Sequence, residues 1–226
     1  RIRTVDIHAH CAVPAALAGA SAVAALAPVL AEGFATTLSY ANFDGWYFAT
    51  HAEWLQHHTW GNDLATQNDD PLTAAAVWSD TYFLPVGVDV VVAYVMAILG
   101  SSGYAVLGAF GASAFVVAAC GWFTLAQVVR HEQGWSWPAV VALFAVVNPL
   151  FALMYAESYM AQLWGCALWP FMIAAAIHAL RQPTWRSLLL AAVALAATVS
   201  NYPGNLPWVG LGLVAAGLMA MRHRQV

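Results

Sequence analysis

The sequence predicts an all-α integral membrane protein: a polytopic transmembrane helix bundle of about six spans with a long extracytoplasmic loop containing juxtamembrane helices. Three observations lead there. First, 62% of the 226 residues are hydrophobic and only 8% are charged. Soluble domains carry about 25% charged residues, so this chain has too few charges to cover a water-facing surface. Second, long apolar runs recur, separated by short polar joints that read RHEQGWSW, AES, RQPTWR and NYPGN. Third, charge is segregated. All seven basic residues are arginines, namely Arg1, Arg3, Arg130, Arg181, Arg186, Arg222 and Arg224. Residues 33–100 contain none of them, yet hold seven of the eleven carboxylates: Asp44, Glu53, Asp63, Asp69, Asp70, Asp80 and Asp89.

The elements follow in order. Residues 1–10 form a short basic tail, expected on the cytoplasmic side. Residues 11–31 are uncharged and Ala-rich, and as a helix they reach roughly 31 Å, enough for a first transmembrane span. The two preceding arginines resemble the start of a signal peptide, but the run is longer than such a segment needs. Residues 32–103 form the extracytoplasmic loop. Within it, residues 43–60 suit one helix. Asp44, His51 and His58 are seven residues apart there and drift only about 20° per step, so they share a face. Trp46, Trp54, Trp60 and Tyr47 suit a helix at a membrane–water boundary. Residues 61–71 are loop, being rich in Gly, Asn, Asp and Pro.

Residues 85–100 are apolar but reach only about 24 Å as a helix, short for a span. Charge parity assigns them. If they crossed the membrane, Arg130, Arg181, Arg186, Arg222 and Arg224 would lie opposite Arg1 and Arg3. If they lie flat on the outer surface, spans at 11–31, 104–129, 138–155, 159–180, 187–200 and 206–221 put all seven arginines on one side. The positive-inside rule selects the second arrangement. The N-terminus is then cytoplasmic, residues 33–100 are extracytoplasmic, and residues 104–226 form a five-span bundle, in a plasma (inner) membrane. Asn148-Pro149 within a span reads as a kink.

Composition also excludes functions. The net charge is −4 and there is no Lys, so no basic face exists to bind nucleic acid. Cys11, Cys120 and Cys166 show no C-x-x-C spacing, which argues against a zinc or redox motif. The chain begins with Arg and stops just after an apolar run, as a fragment of a longer protein would.

The chemistry-bearing residues lie mainly in the acidic loop. Asp44, Tyr47, Ala52 and Leu55 form the pattern Asp-x-x-Tyr-x-x-x-x-Ala-x-x-Leu, with Phe48 and His51 inside it. Further on comes LPVGVDVVVAYVMAILG, with Pro85, Ala93 and Gly100, and then a spanning helix. In this order the sequence resembles the GT-C superfamily of membrane glycosyltransferases, over roughly residues 11–221. The resemblance implies transfer of a sugar from a polyprenyl-phosphate carrier on the outer face, with Asp44 as base or metal ligand. The chain departs from the family in having Gly45 after Asp44 and no basic residue in the outer loop to hold a phosphate. Such groups are expected from residues beyond Val226.

The residues suit that chemistry on their own terms. Sugar transfer needs a carboxylate to take the proton of the attacking hydroxyl, and positive charge to stabilise the departing phosphate. Asp44 is the expected catalytic residue. Asp44, His51 and His58 on one face are the candidate ligands of a divalent metal ion. Tyr47, Asp89 and Glu157 are the candidates for substrate contact. Asp89 is costly within an apolar run and is expected to face water or a cavity. Glu157 lies between two spans and is expected to begin the next helix. The bland alternative for Asp44 is a helix cap, with the histidines as interfacial side chains. The expected partners are the lipid bilayer and a lipid-linked sugar donor.

Two other functions are compatible with parts of the chain. A non-catalytic polytopic membrane protein would share the composition and the charge map. The N-terminal TVDIHAHCAVP resembles the first strand of metal-dependent amidohydrolases, in which His8 and His10 would bind a metal. That reading requires a strand here and a barrel behind it.

Overall fold

The computed structural model describes residues 44–59, 71–82, 84, 86–130 and 134–223, together with Ala16, Gly19, Ala20 and Val23, which are helical. The tail with His8 and His10, nearly all of the expected first span and the loop at 60–70 lie outside the described residues. Among the described residues the regular elements are helical and there is no strand. They are α1 (Asp44–Trp54), α2 (Thr73–Tyr82), α3 (Gly87–Leu99), α4 (Gly103–Arg130), α5 (Ser136–Val146), α6 (Pro149–Ala156), α7 (Met160–Arg181), α8 (Trp185–Asn201), a 3-10 turn (Pro203–Asn205) and α9 (Leu206–His223).

The parallel pair α4 and α7 forms the centre. Its apolar stretches, Gly103–Val129 and Met160–Arg181, have 27 and 22 residues and mean hydropathies of 1.9 and 1.6, long and apolar enough to cross a membrane. Twenty-two helical residues reach about 33 Å, against about 30 Å of hydrocarbon. Helices α5 and α6 join at a 44° bend, and α8 joins the segment Pro203–Ala215 at 118°. The described part thus has two helices long and apolar enough to cross a membrane, or up to four if each bent pair is one span. The expected spans at 187–200 and 206–221 are the two arms of the second bend. The first bend falls at the expected kink: Asn148 caps α6 by accepting from the Leu150 N–H at 2.9 Å, with Pro149 in the first helical turn. Pro149 has no N–H to offer the preceding helix, so the helix stops there and restarts.

The outward surface of this bundle is apolar. Leu188, Leu189, Leu190 and Val193 of α8, Leu211 and Val214 of α9, and Phe144 of α5 are exposed. In water such a surface would be a large exposed patch; in a bilayer it is the lipid-facing side.

The two ends of the bundle differ. Arg130, Arg181 and Arg186 lie where α4 and α7 finish and α8 begins; the Arg181 guanidinium reaches the Val128 carbonyl near the end of α4. Helices α1, α2 and α3 lie at the opposite end, with Asp44, Glu53, Asp80 and Asp89. Helix α2 is an element that the sequence reading did not separate from the loop. Helix α1 ends at Trp54, six residues short of the expected boundary, and continues as turns. Of its expected surface aromatics, Trp46 is exposed as expected, whereas Tyr47 and Trp54 are only 4% and 1% exposed, because α2, α3 and α4 pack around the helix; Trp60 lies outside the described residues.

Close backbone contact ties this layer to the bundle. Gly103 opens α4 against α1, where a Cβ would stand 2.5 Å from the Ala49 carbonyl oxygen. The Gly103 N–H donates to Glu53 Oε1 at 2.9 Å. Gly103→Ala is therefore expected to push the two helices apart at a cost of about 1–3 kcal/mol, the usual range for overpacking. Thermal unfolding in detergent checks this: the transition falls by several degrees, whereas Gly134→Ala, with open space at its Cβ, leaves it unchanged.

Candidate functional site

The acidic end is organised by a buried polar cluster. Tyr47 and His51 are four residues apart on α1, so both side chains emerge on one face. Asp89 stands in the first turn of α3. That turn is held close to the bundle because Gly87 has no side chain; a Cβ there would be 2.8 Å from the Ser200 carbonyl oxygen. His51 and Asp89 are both 0% exposed, and His51 Nδ1 lies 2.8 Å from Asp89 Oδ2. The Tyr47 hydroxyl donates to the same Oδ2 at 3.1 Å and lies 3.3 Å from His51 Nδ1. One carboxylate oxygen thus collects a phenol and an imidazole from α1, across 42 and 38 residues of sequence.

Burial governs the electrostatics. It raises the Asp89 carboxyl above its ordinary value, and this outweighs the hydrogen bond and charge of His51 and the hydrogen bond of Tyr47, which act downward. Burial likewise raises the Tyr47 phenol, reinforced by the Asp89 charge, and the nearby Ser79 hydroxyl acts in the opposite sense. A buried carboxylate is tolerated only with such partners. Asp89 was expected to face water or a cavity. It faces protein instead: Tyr47 and His51 of α1 replace the water at Oδ2, while Oδ1 is buried without a hydrogen-bond partner among the described residues.

The cluster gathers three of the six expected site residues. Asp44 lies one turn before Tyr47, half-buried, and is near enough for its charge to raise the Tyr47 phenol. Its own carboxyl is raised by burial. His58 lies beyond the cluster and stacks on Trp54, with ring centroids 4.8 Å apart and planes 19° apart. The same indole lies 5.9 Å from the His51 ring. Glu157 is on a different element: it ends α6 as its C-cap rather than beginning α7. Among the described residues, no group of three or more His, Cys, Asp or Glu is placed to hold a metal ion. His51 directs Nδ1 to Asp89, and Trp54 contacts both imidazoles. This arrangement does not gather Asp44, His51 and His58 around one ion.

A second feature opens beside the cluster. A cleft of about 490 Å³ is lined by Glu53, Gln56, His57, Leu72, Met96, Ala97, Gly100, Ser101 and Ser102. Two side chains brace it. Gln56 Nε2 donates to the Ala93 carbonyl at 2.6 Å, and Glu53 accepts from Gly103 as above. From sequence, Glu53 stands out only as one of the seven carboxylates of residues 33–100, and Gln56 does not stand out at all. The only signal joining them is the i, i+3 and i+4 relation of Glu53, Gln56 and His57 at the end of a helix.

No family model, curated protein or solved structure matches the chain.

Proposed function

We propose that this protein is an integral membrane glycosyltransferase of the GT-C type, acting at the acidic end of the bundle on a sugar carried by a lipid phosphate. The observation that carries the proposal is Asp44. It is a half-buried carboxylate in the first turn of α1, raised above the ordinary aspartate value by burial, within residues 33–100, which contain no arginine. A base is most effective when its pKa approaches the working pH. The acceptor oxygen attacks the anomeric carbon as Asp44 takes its proton. The bond from that carbon to the phosphate oxygen breaks, and the lipid phosphate leaves with the electron pair. Tyr47, His51 and Asp89 fix the helix that carries Asp44 and do not themselves touch the sugar.

The proposed topology places the arginine end in the cytoplasm and the acidic end outside a plasma (inner) membrane, with six spans in all. Helix α3 lies along the outer boundary. It buries Val88, Asp89, Val92, Ala93 and Met96 against the protein and turns Val90, Val91, Tyr94, Ile98 and Leu99 outward toward lipid.

Reconstitution tests the activity. The protein in liposomes is supplied with a radiolabelled polyprenyl-phosphate sugar, and label is followed into a water-soluble acceptor. Transfer from the lipid-linked donor, and none from a nucleotide sugar alone, is expected. Failure to consume any lipid-linked donor would reject the transferase and leave a non-catalytic membrane protein.

A further inference from the structure

We infer that the cleft beside the end of α1 is a binding site for a neutral, polyhydroxylated ligand, a sugar unit. The lining determines the class. Glu53 uses Oε1 to accept from Gly103, which leaves Oε2 as an acceptor. Gln56 uses its amide nitrogen on Ala93, which leaves its carbonyl oxygen as an acceptor. The Ser102 hydroxyl accepts from the Ala105 N–H at 3.4 Å and keeps its own proton to donate. Ser101 and His57 complete the polar rim, and both can donate or accept. The lining is rich in acceptors, carries two hydroxyls, and contains no Arg or Lys. It therefore disfavours phosphate and carboxylate ligands and suits a ligand with several hydroxyl donors. Leu72, Met96 and Ala97 supply an apolar patch for the C–H face of a ring. The volume falls within the range of about 300–1,000 Å³ typical of small-molecule sites. The bonds of Gln56 to α3 and Glu53 to α4 hold two walls in place before any ligand arrives, so little ordering remains to oppose binding.

The cleft is separate from Asp44. Glu53 is nine residues further along α1, about 14 Å at the helical rise. The site would therefore hold a part of the ligand remote from the reacting carbon. Its binding stands on the cleft alone, whereas its role as an acceptor subsite rests on the transferase reading.

Ligand-observed NMR on the full chain in nanodiscs tests the inference, with methyl glucoside, methyl mannoside and maltose as probes and spermine as a cationic competitor. Saturable binding of at least one sugar is expected. Ala97→Trp, which fills the cleft from an exposed position, weakens it at least tenfold. Ser101→Ala weakens it several-fold, and Gly134→Ala, which adds a Cβ in open space, leaves it unchanged. Each variant is compared at an unaltered thermal transition, so that loss of binding is not loss of fold. The inference is overturned if no sugar binds saturably, if Ala97→Trp binds like the unaltered protein, or if spermine binds in place of sugars. Sugar binding without transfer from any lipid-linked donor would reject the transferase reading alone.

Discussion

Asp44→Asn lowers sugar transfer by about 10²–10⁴-fold, the range that a positioned general base contributes. The substitution keeps the shape of the side chain and its capacity to accept a hydrogen bond at the start of α1. It removes only the ability to take a proton. Helix α1 stays in place because Tyr47, His51 and Glu53 still hold it to α3 and α4. Membrane insertion and the unfolding transition are therefore unchanged, which separates a chemical role from a capping role. The pH profile supplies a second check. The base works ionised, so activity rises with pH through the pKa of Asp44. Burial raises that value above the ordinary 3.8, so the acid limb of kcat/KM lies above the usual aspartate range. Transfer retained by the Asp44→Asn protein, or an acid limb that survives in it, would remove Asp44 from the mechanism.

Asp89→Ala destabilises the protein by about 3–5 kcal/mol, the cost of breaking a buried pair and leaving the other partner behind. The loss is specific in kind. His51 loses the carboxylate 2.8 Å from Nδ1, and Tyr47 loses its acceptor at 3.1 Å, both in a site without water access. His51→Leu alone has a comparable effect, since it leaves Asp89 buried with only the Tyr47 hydroxyl. The doubly substituted protein, His51→Leu with Asp89→Leu, recovers much of the loss, because no buried charge then remains unpaired. Unfolding in detergent, run as a double-mutant cycle, measures this coupling. Additive effects would mean that the pair does not join α1 to α3.

What the sequence made legible and what it concealed divide along physical lines. Helical class, the apolar runs and the break at Asn148-Pro149 are local properties, set by composition, length and the missing proline N–H. The existence of α1 and of α3 was legible for the same reason. The pairing of His51 with Asp89 was not, because 38 residues separate them and no periodicity spans that gap. Each was singled out separately, Asp89 for its cost in an apolar run and His51 for sharing a face with Asp44. Their mutual satisfaction needed the packing of α3 on α1. The end of α1 was placed too late because Leu55, Gln56 and His57 keep helical composition while their backbone turns toward the cleft. Helix α2 was missed because TAAAVWSDTY is short and follows a run of turn formers. The aromatic residues of α1 were read as an interfacial belt, yet Trp54 fills the core; an indole suits either place, and only the neighbouring helices decide.

The central claim is that the acidic end and the arginine end of this bundle lie on opposite sides of a membrane. Paired cysteine labelling tests it most directly. In a background where Cys11, Cys120 and Cys166 are replaced by Ala, Asp80→Cys marks the acidic end and Gln182→Cys the arginine end; both positions are exposed. An impermeant thiol reagent added to intact cells is expected to label the Asp80→Cys protein at once, and the Gln182→Cys protein only after the membrane is opened. Labelling of both from the same side, or of Gln182→Cys first, would contradict the account.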